Sequence, residues 1–216
     1  MEKRVLIGCE CSGRVRDAFF SYGRGKIEAW SCDFLRSEKF GNHFQGDIFA
    51  AILSGGPWDF IGLHPPCTAL AVSGNAHYGR GKAKSRQRVE AIKWTSELWK
   101  LAVSSSKFVY LENPVGVLHS KGNIFPAPHY IQPWHYGDNA SKKTGLYLHN
   151  LPPLKRVPKL EVMPRIVGGL PRWANQTDSG QNALTPSPTR AAQRAKTYQG
   201  LARQMALQWG PLLVDN

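Results

Sequence analysis

A short apolar run that stops at two prolines and a cysteine is the feature that most constrains this chain. Residues 60–63 read FIGL, and His64, Pro65, Pro66 and Cys67 follow directly. Consecutive apolar residues bounded by prolines are typical of a buried strand in a parallel sheet. Because proline cannot continue the ladder, Cys67 begins a loop at the carboxyl end of that strand. Ligands bind at this edge of open α/β sheets, so Cys67 is either a reactive thiol or a structural residue in a proline turn.

The segment after Cys67 is rich in glycine and basic residues. It covers residues 73–86 and contains four cations that we assign to nucleic-acid binding: Arg80, Lys82, Lys84 and Arg86. Positive charge on a loop at a ligand edge could contact phosphates, and the loop could close over a substrate. The alternative interpretation is a solvated basic loop.

Charge indicates the class of partner. The chain has 28 Lys+Arg against 15 Asp+Glu, a formal net charge of +13 over 216 residues, which suits one α/β domain with a polyanionic partner. Nucleic acid is favoured over membrane because no basic amphipathic helix adjoins an apolar anchor. No apolar run approaches membrane-spanning length, so we expect a cytoplasmic protein with no membrane partner. Cys9, Cys11, Cys32 and Cys67 lack zinc-ligand spacing, and we expect free thiols and no metal.

The sequence of the amino-terminal third predicts a binding loop for a nucleotide-like cofactor. Residues 5–9 form a predicted strand, residues 10–14 a turn containing Gly13, and residues 15–22 a helix, which is the usual arrangement at such sites. Residues 27–31 predict a second strand that ends at Asp33. An acid at that position can accept hydrogen bonds from ribose hydroxyls.

A second polar group follows another predicted strand. After a helix over residues 86–104, residues 107–111 read as a strand followed by Glu112, Asn113 and Pro114. If the sheet is parallel, Cys67 and Glu112 lie along one edge. A thiolate can add to an electrophilic ring carbon while a carboxylic acid protonates a ring nitrogen. The alternative for Glu112 is a solvated side chain in a turn after the strand.

The order of these motifs resembles the DNA cytosine-5 methyltransferase family, in particular its small phage-type members. The sequence LHPPC at residues 63–67 looks like the family's Pro-Cys motif, and LENP at residues 111–114 looks like its Glu-Asn-Val motif. QGDI at residues 45–48 is similar to the family's Gly-Asp segment. Residues 136–144, YGDNASKKT, are similar to its Tyr-Gly-x-Pro-Gln-x-Arg-x-Arg segment. The match covers about residues 5–148.

The resemblance implies a Rossmann-like, S-adenosylmethionine-dependent methyltransferase fold, mostly a parallel sheet flanked by helices, that methylates carbon 5 of cytosine. It implies that Cys67 attacks carbon 6, Glu112 holds and protonates nitrogen 3, Asn113 braces the loop, and Lys142 replaces the first arginine of the basic pair. The cofactor contacts that it implies are Glu10, Ser12, Gly13, Asp33, Asp47 and Pro65. Glu10 could instead cap the following helix. Lys143 joins the cations assigned to nucleic acid.

The chain departs from the family pattern at several positions. The first loop has only Gly13 where several glycines are usual, Pro114 replaces valine, and Thr144 stands where the second arginine is expected. We divide the chain into a catalytic core at 1–149, a short irregular insertion at 150–189 that replaces a target-recognition domain, with one hairpin at most, and a C-terminal helix at 190–216. The polar residues of the insertion could contact DNA or satisfy their own backbone.

We expect a helix over residues 190–207 to pack on the core, with contacts through Leu201, Met205 and Trp209. Its basic residues Arg190, Arg194, Lys196 and Arg203 could contact phosphates or form a solvated face.

The expected partner is double- or single-stranded DNA, bound by a monomer in the cytoplasm of the host cell if the protein is phage-encoded. The small insertion predicts weak or very short sequence specificity. Two alternatives remain open at the level of sequence. One is pyrimidine modification on nucleotides or single-stranded DNA, and the other is an inactive DNA-binding protein with this fold.

Overall fold

A computed structural model describes residues 2–187 and 189–215, and a seven-stranded sheet forms the centre of this part of the chain. The strands are β1 (Lys3–Gly8), β2 (Ile27–Asp33), β3 (His43–Gln45), β4 (Phe60–Leu63), β5 (Phe108–Pro114), β6 (His129–Ile131) and β7 (Thr144–His149). The helices are α1 (Arg14–Gly23), α2 (Ile48–Gly55), α3 (Asn75–Tyr78), α4 (Ser85–Ser105), α5 (Leu118–Lys121), α6 (Arg190–Ala195), α7 (Gln199–Trp209) and α8 (Pro211–Val214).

The strand order is β3-β2-β1-β4-β5-β7-β6. The first five strands in this order pair in parallel, whereas β7 is antiparallel to both β5 and β6. The order reverses between β1 and β4, which places a topological switch point beside the first loop. This sheet, with helices on both faces, is a Rossmann-like methyltransferase fold, and the fold class predicted from the sequence is confirmed.

Alternating side chains of the central strands build a separate core on each face of the sheet. On one face, Phe60 and Tyr110 pack with apolar side chains of α1 and α7. On the other face, Ile61 and Leu111 pack with α2 and α4. The central strands are buried on both sides, as parallel strands usually are, and this explains why their sequences are continuous apolar runs.

The predicted C-terminal helix over residues 190–207 is interrupted in the structure. Helix α6 ends at Ala195, Lys196 has extended backbone (ψ 133°), and α7 begins at Gln199. The carboxylate of Asp138 accepts hydrogen bonds from the amides of Gly200 and Leu201, both at 3.0 Å, and so caps α7. The expected packing of this segment is confirmed, since Leu201, Met205 and Trp209 are buried.

The insertion contains the hairpin that the sequence allowed. Strands β8 (Arg165–Val167) and β9 (Leu170–Arg172) form a separate two-stranded sheet. The turn consists of Gly168 and Gly169, both with positive φ, as a tight hairpin requires. Within the described residues, no helix has the length and apolar character needed to cross a bilayer.

The contacts of Asp138 give a test of the C-terminal packing. We expect Asp138→Ala to lower the free energy of unfolding by about 1–2 kcal/mol, because two amides at the start of α7 lose their acceptor. Asp138→Asn keeps one side-chain oxygen and should lose about half as much. Urea denaturation of the three proteins measures this order, and equal losses in both variants would contradict the capping role.

Candidate active site

Cys67, Glu112 and Lys142 come from three separate elements and meet at the carboxyl edge of the sheet. Strands β4 and β5 are parallel, with Leu63 opposite Leu111, so the loops that follow them leave the sheet side by side. The two loops are joined by backbone hydrogen bonds from Val72 to Val115 (2.9 Å) and from Val117 to Leu70 (3.0 Å).

The reversed direction of β7 brings Lys142 to this edge. Thr144, the first residue of β7, pairs with Pro114, the last residue of β5. A parallel β7 would place its first residues at the opposite edge of the sheet. The backbone amide of Lys142 donates to the side-chain oxygen of Gln132 at 2.9 Å, which fixes the loop before β7.

Glu112 is a buried carboxylate between two nitrogen groups. Its side chain is 11% exposed, with Oε1 3.6 Å from Lys142 Nζ and Oε2 3.6 Å from His64 Nδ1. Burial raises the pKa of Glu112, but the Lys142 ammonium and the His64 imidazole more than offset this and lower the pKa to about 2. Glu112 is therefore ionised at neutral pH when no substrate is bound.

Cys67 lies in the electrostatic field of the same groups. Burial and the charge of Glu112 raise the pKa of the Cys67 thiol, whereas Lys142 and Arg194 act to lower it. The resting form is thus the thiol, and deprotonation depends on the nearby cations. Sequence analysis considered Arg194 only as a possible phosphate contact, and the structure also places it within range of the thiol.

The loop after Cys67 is ordered by a buried arginine that sequence analysis missed. Arg88 on α4 donates to the carbonyls of Ala69 (2.6 Å) and Ala71 (3.2 Å) and to Asn75 Oδ1 (2.7 Å). Residues 72–78 accordingly form a short 3₁₀ turn followed by α3 rather than an open loop. The sequence does not distinguish Arg88 from the neighbouring basic residues, because buried and solvated arginines look alike within a basic segment.

Asn113 is buried beside Glu112, with 1% of its surface exposed. Neither atom of its side-chain amide has a hydrogen-bond partner among the described residues. The sequence predicted that Asn113 braces the loop, and no such contact is present in the described part of the chain. A buried amide without partners is unusual. Because Asn113 directly follows Glu112 in β5, its side chain points to the opposite face of the sheet from the Glu112 carboxylate.

The first loop is shaped by Glu10. Its carboxylate accepts hydrogen bonds from the amides of Val15 (2.9 Å) and Arg16 (3.3 Å) and from the Ser12 hydroxyl (3.0 Å). Glu10 therefore caps α1, which is the alternative that the sequence left open, and Ser12 supports the cap. Gly13 has φ 68°, a left-handed conformation that glycine adopts readily. Cofactor contact by these residues stays a prediction.

Two further carboxylates suit the hydroxyl and amine donors of a nucleoside. Asp33 uses Oδ1 to accept from the amide of Leu35 (2.9 Å), and Asp47 uses Oδ1 to cap α2. The hydrogen bonds between described residues leave Oδ2 of each free. Burial first, and then the charges of Asp33 and Asp47, raise the pKa of the Cys9 thiol, so both acids lie near the first loop. Pro65 is buried at the same edge of the sheet.

The cations assigned to nucleic acid are mostly free to contact a partner. Arg80, Lys82, Lys84 and Arg86 are exposed, and Arg86 pairs with Glu90 at 3.0 Å on the helix surface. Lys143 is also exposed, with its ammonium 4.7 Å from the ring centroid of Tyr130. Among the described residues, no group of three or more His, Cys, Asp or Glu side chains could hold a metal ion.

The polar residues of the insertion hydrogen-bond mainly to the protein itself. Asn175 accepts from the amide of Ser141 and donates to its carbonyl, both at 2.9 Å. Gln176 accepts from the amide of Trp173, and Thr177 accepts from the amide of Gln181, both at 3.1 Å. These contacts favour the alternative in which the insertion satisfies its own backbone. They also attach the insertion to the loop that carries Lys142.

His64 is a residue of the site that was not among the candidates chosen from the sequence. Its Nε2 is 2.7 Å from the hydroxyl of Tyr110, and its side chain is 7% exposed. Two signals could have indicated this contact. Tyr110 lies two residues before Glu112, hence on the same face of β5, and His64 immediately follows the strand that leads to Cys67.

No protein-family model and no curated protein matches this sequence. Similar solved structures include PH0851, with 12% identity, a TM-score of 0.41, and coverage of 68% of this chain and 43% of that protein. The delta-N METTL16 MTase domain has 8% identity and a TM-score of 0.37, with coverage of 70% of this chain and 76% of that domain. The match thus spans less than half the length of PH0851. The fold assignment rests on the strand order and strand directions.

The depressed pKa of Glu112 predicts how stability depends on pH. Its ionised form stabilises the fold above the pKa of an unfolded glutamate, and this contribution is lost as pH falls toward the folded value of about 2. We expect wild type to exceed Glu112→Gln in free energy of unfolding by at most about 3 kcal/mol above pH 5. The difference should shrink between pH 5 and pH 3 in urea titrations.

The matched control is Glu90→Gln, because the side chain of Glu90 is 62% exposed on α4. This variant should differ from wild type by little at any pH, since exposed ion pairs contribute little. If the difference in free energy of unfolding between wild type and Glu112→Gln does not change with pH, Glu112 is not an ionised group that stabilises the fold, and the assignment is contradicted.

Proposed function

We propose that the protein transfers a methyl group from S-adenosylmethionine to carbon 5 of cytosine in DNA, with Cys67 as the nucleophile. The observation that carries this proposal is the convergence of Cys67, Glu112 and Lys142 at one edge of a methyltransferase fold. A binding protein needs neither the thiol nor the buried carboxylate. Their proximity is what covalent addition to a pyrimidine requires.

The site residues divide the chemistry between nucleophile and acid. The thiolate of Cys67 forms a bond to carbon 6 while the π bond between carbons 5 and 6 breaks, and the electron pair moves through the ring toward nitrogen 3. Glu112, once protonated, gives its proton to nitrogen 3 and returns to the carboxylate. After carbon 5 has been methylated, its hydrogen leaves as a proton, the π bond between carbons 5 and 6 forms again, and the bond between sulfur and carbon 6 breaks, which regenerates the Cys67 thiolate. Nitrogen 3 then returns its proton to Glu112, so the cycle releases 5-methylcytosine and one proton.

Lys142 has two functions in this scheme. Its ammonium lies 3.6 Å from Glu112 and acts to lower the pKa of Cys67, so it favours the thiolate that attacks. It also offers donors that could bind the ring carbonyl oxygen of the base.

The cofactor would be held at the neighbouring part of the same edge. Asp33 and Asp47 each have a free carboxylate oxygen that suits ribose hydroxyls and the adenine amine, and the loop containing Gly13 lies between the acids and the target site. When bound, S-adenosylmethionine supplies an electrophilic methyl group. The role of the chain here is to orient that group toward the base that Cys67 and Glu112 hold.

Charge favours DNA over a single nucleotide as substrate. A net charge of +13 far exceeds what one phosphate needs. The exposed cations Arg80, Lys82, Lys84 and Arg86 follow directly on the loop that bears Cys67. We therefore infer that the DNA backbone lies along this segment and that the target base leaves the stack to reach the thiol.

The first test is to trap the covalent intermediate. We expect intact-mass analysis after incubation with S-adenosylmethionine and duplex DNA containing 5-fluorocytosine to reveal a protein–DNA adduct, because fluorine cannot leave carbon 5 as a proton would. Cys67→Ala should give no adduct and should lower methylation of ordinary DNA below detection, while its fold and cofactor affinity persist.

Cys9→Ala is the matched control, since it removes a thiol at the same edge of the sheet that the proposed chemistry does not use. It should retain the adduct. Unchanged turnover in Cys67→Ala would refute the mechanism, and failure of wild type to bind S-adenosylmethionine would favour the inactive DNA-binding protein.

The breadth of the substrate gives a second test. We expect methylation of duplex DNA to exceed that of dCMP by at least about 100-fold, because only the polymer engages the basic segment. Bisulfite sequencing of methylated DNA should reveal a motif of very few bases, since the polar groups of the insertion contact their own backbone. Activity on dCMP alone would contradict the preference for duplex DNA. Methylation only within a long motif would contradict the expected weak specificity.

A further inference from the structure

His64 connects the site to a second buried polar residue. Nδ1 faces Glu112 Oε2 at 3.6 Å and the hydroxyl of Thr197 at 3.5 Å, while Nε2 is 2.7 Å from the hydroxyl of Tyr110. Both ring nitrogens therefore have polar neighbours in a pocket that is almost closed to solvent. The distance to Glu112 is an ion-pair distance rather than a hydrogen bond, and such contacts often tighten when substrate binds.

The pocket that joins Tyr110 to His64 is built into the sheet. Gly62 lies opposite Tyr110 in the pairing of β4 and β5. A Cβ at position 62 would collide with the ring of Tyr110, including a contact of 2.7 Å with its hydroxyl oxygen. Glycine weakens a strand interior and often marks a close approach, and here it allows the phenol to cross β4 toward His64.

Tyr110 can support either charge state of His64. With neutral imidazole, the proton is on Nδ1, which faces the acceptor-only carboxylate, and the Tyr110 hydroxyl donates to Nε2. With imidazolium, Nε2 also carries a proton, and the same hydroxyl oxygen accepts it after rotation of its hydrogen. His64 can thus lose or gain a proton without loss of its contact to Tyr110.

The proposed chemistry needs a proton that Glu112 does not hold at rest. An ionised carboxylate can only accept hydrogen bonds, so Glu112 must be protonated before it can donate to nitrogen 3 of cytosine. Lys142 stabilises the ionised form at 3.6 Å, and it remains as a cation beside Cys67. His64 is the other group that contacts Glu112 at ion-pair distance, and it lies on the side away from Lys142.

We propose that His64 is a positioning residue that protonates Glu112, so that Glu112 can protonate nitrogen 3 as Cys67 adds to the base. This inference rests on the proposed function. In the step, the bond between Nδ1 and its proton breaks, Glu112 gains that proton, and Glu112 passes its proton to nitrogen 3. His64 ends neutral and Glu112 ends ionised. When the thiolate leaves carbon 6, nitrogen 3 returns its proton through Glu112 to Nδ1 of His64, and the proton from carbon 5 passes to water, so that each group regains its starting form.

Groups that face His64 from each neighbouring element are few. Strand β5 contributes Tyr110 and Glu112, and Thr197 contributes a hydroxyl from the segment before α7. Two further charged groups lie beyond these. Lys142 contacts Glu112, and the charge of Glu10, in the first loop, contributes to the raised pKa of Tyr110. Among these groups, histidine is the residue type that ordinarily changes charge between about pH 5 and 8.

The test uses exchange of the hydrogen on carbon 5, which needs addition and protonation but no cofactor. Once Cys67 has added, carbon 5 is nucleophilic and takes a proton from water, so DNA tritiated at this carbon releases tritium. We expect His64→Asn to lower this rate and single-turnover methylation by about 100-fold or more, with Kd for DNA unchanged. The pH profile of this rate should contain an ionisation in wild type that the variant lacks.

Two further variants separate this role from a structural one. Tyr110→Phe removes the partner of Nε2. We expect it to lower the rate of tritium release by about tenfold, the equivalent of one hydrogen bond, and to retain the ionisation in the pH profile. His149→Asn changes a histidine at the far end of β7, opposite Val109 at the start of the β5–β7 pairing, and should leave the rate unchanged.

A His64→Asn variant with the wild-type rate and pH profile would overturn this inference and leave the proposed function intact. If that variant does not fold, a Tyr110→Phe variant with the wild-type rate of tritium release overturns it instead. Absence of both tritium release and the 5-fluorocytosine adduct in wild type would overturn the proposed function and this inference together.

Discussion

The burial of the Glu112 charge is the constraint on which the rest of the site depends. A carboxylate removed from water is costly unless cations or donors compensate it. Lys142 and His64 do so from two other elements, each at 3.6 Å. This requirement explains the direction of β7, because only an antiparallel strand brings Lys142 to the edge where β4 and β5 end. The departure from a purely parallel sheet is thus what completes the site.

Sequence reasoning was most successful where a backbone rule fixes the position of a side chain. The apolar residues that lead to Cys67, Asp33 and Glu112 indicated strands, and parallel pairing brings the carboxyl ends of these strands to one edge. The strands themselves extend further than predicted, since Asp33 is the last residue of β2 and Glu112 lies within β5. The packing of α7 followed from the spacing of Leu201, Met205 and Trp209. These predictions needed only local periodicity and the rule that ligands bind at the carboxyl edge.

Contacts between distant segments were beyond that reasoning. The break between α6 and α7 depends on Asp138, which caps a helix more than 60 residues later in the sequence. The order of the Cys67 loop depends on Arg88, whose neighbours in the sequence look like any solvated basic stretch. The resemblance implied that Glu10 contacts the cofactor, with capping of the following helix as the alternative, and in the structure its oxygens accept from amides of α1. In each case the side chain binds a backbone amide or carbonyl. Every residue other than proline has both groups, so the sequence does not show which of them a distant side chain will bind.

In the proposed function, the small insertion would leave most of the affinity for DNA to other parts of the chain. Asn175, Gln176 and Thr177 use their polar groups to hold the insertion together and to anchor it beside Ser141. On the hairpin, Ile166 and Leu170 expose apolar side chains, and the guanidinium of Arg165 is bonded to the carboxylate of Asp178 and to carbonyls of the insertion. Apolar groups distinguish bases poorly, whereas base-edge hydrogen bonds carry most direct readout. Affinity in the proposed function therefore depends on the cations of the Cys67 loop, and phosphate contacts of this kind bind without discriminating sequence.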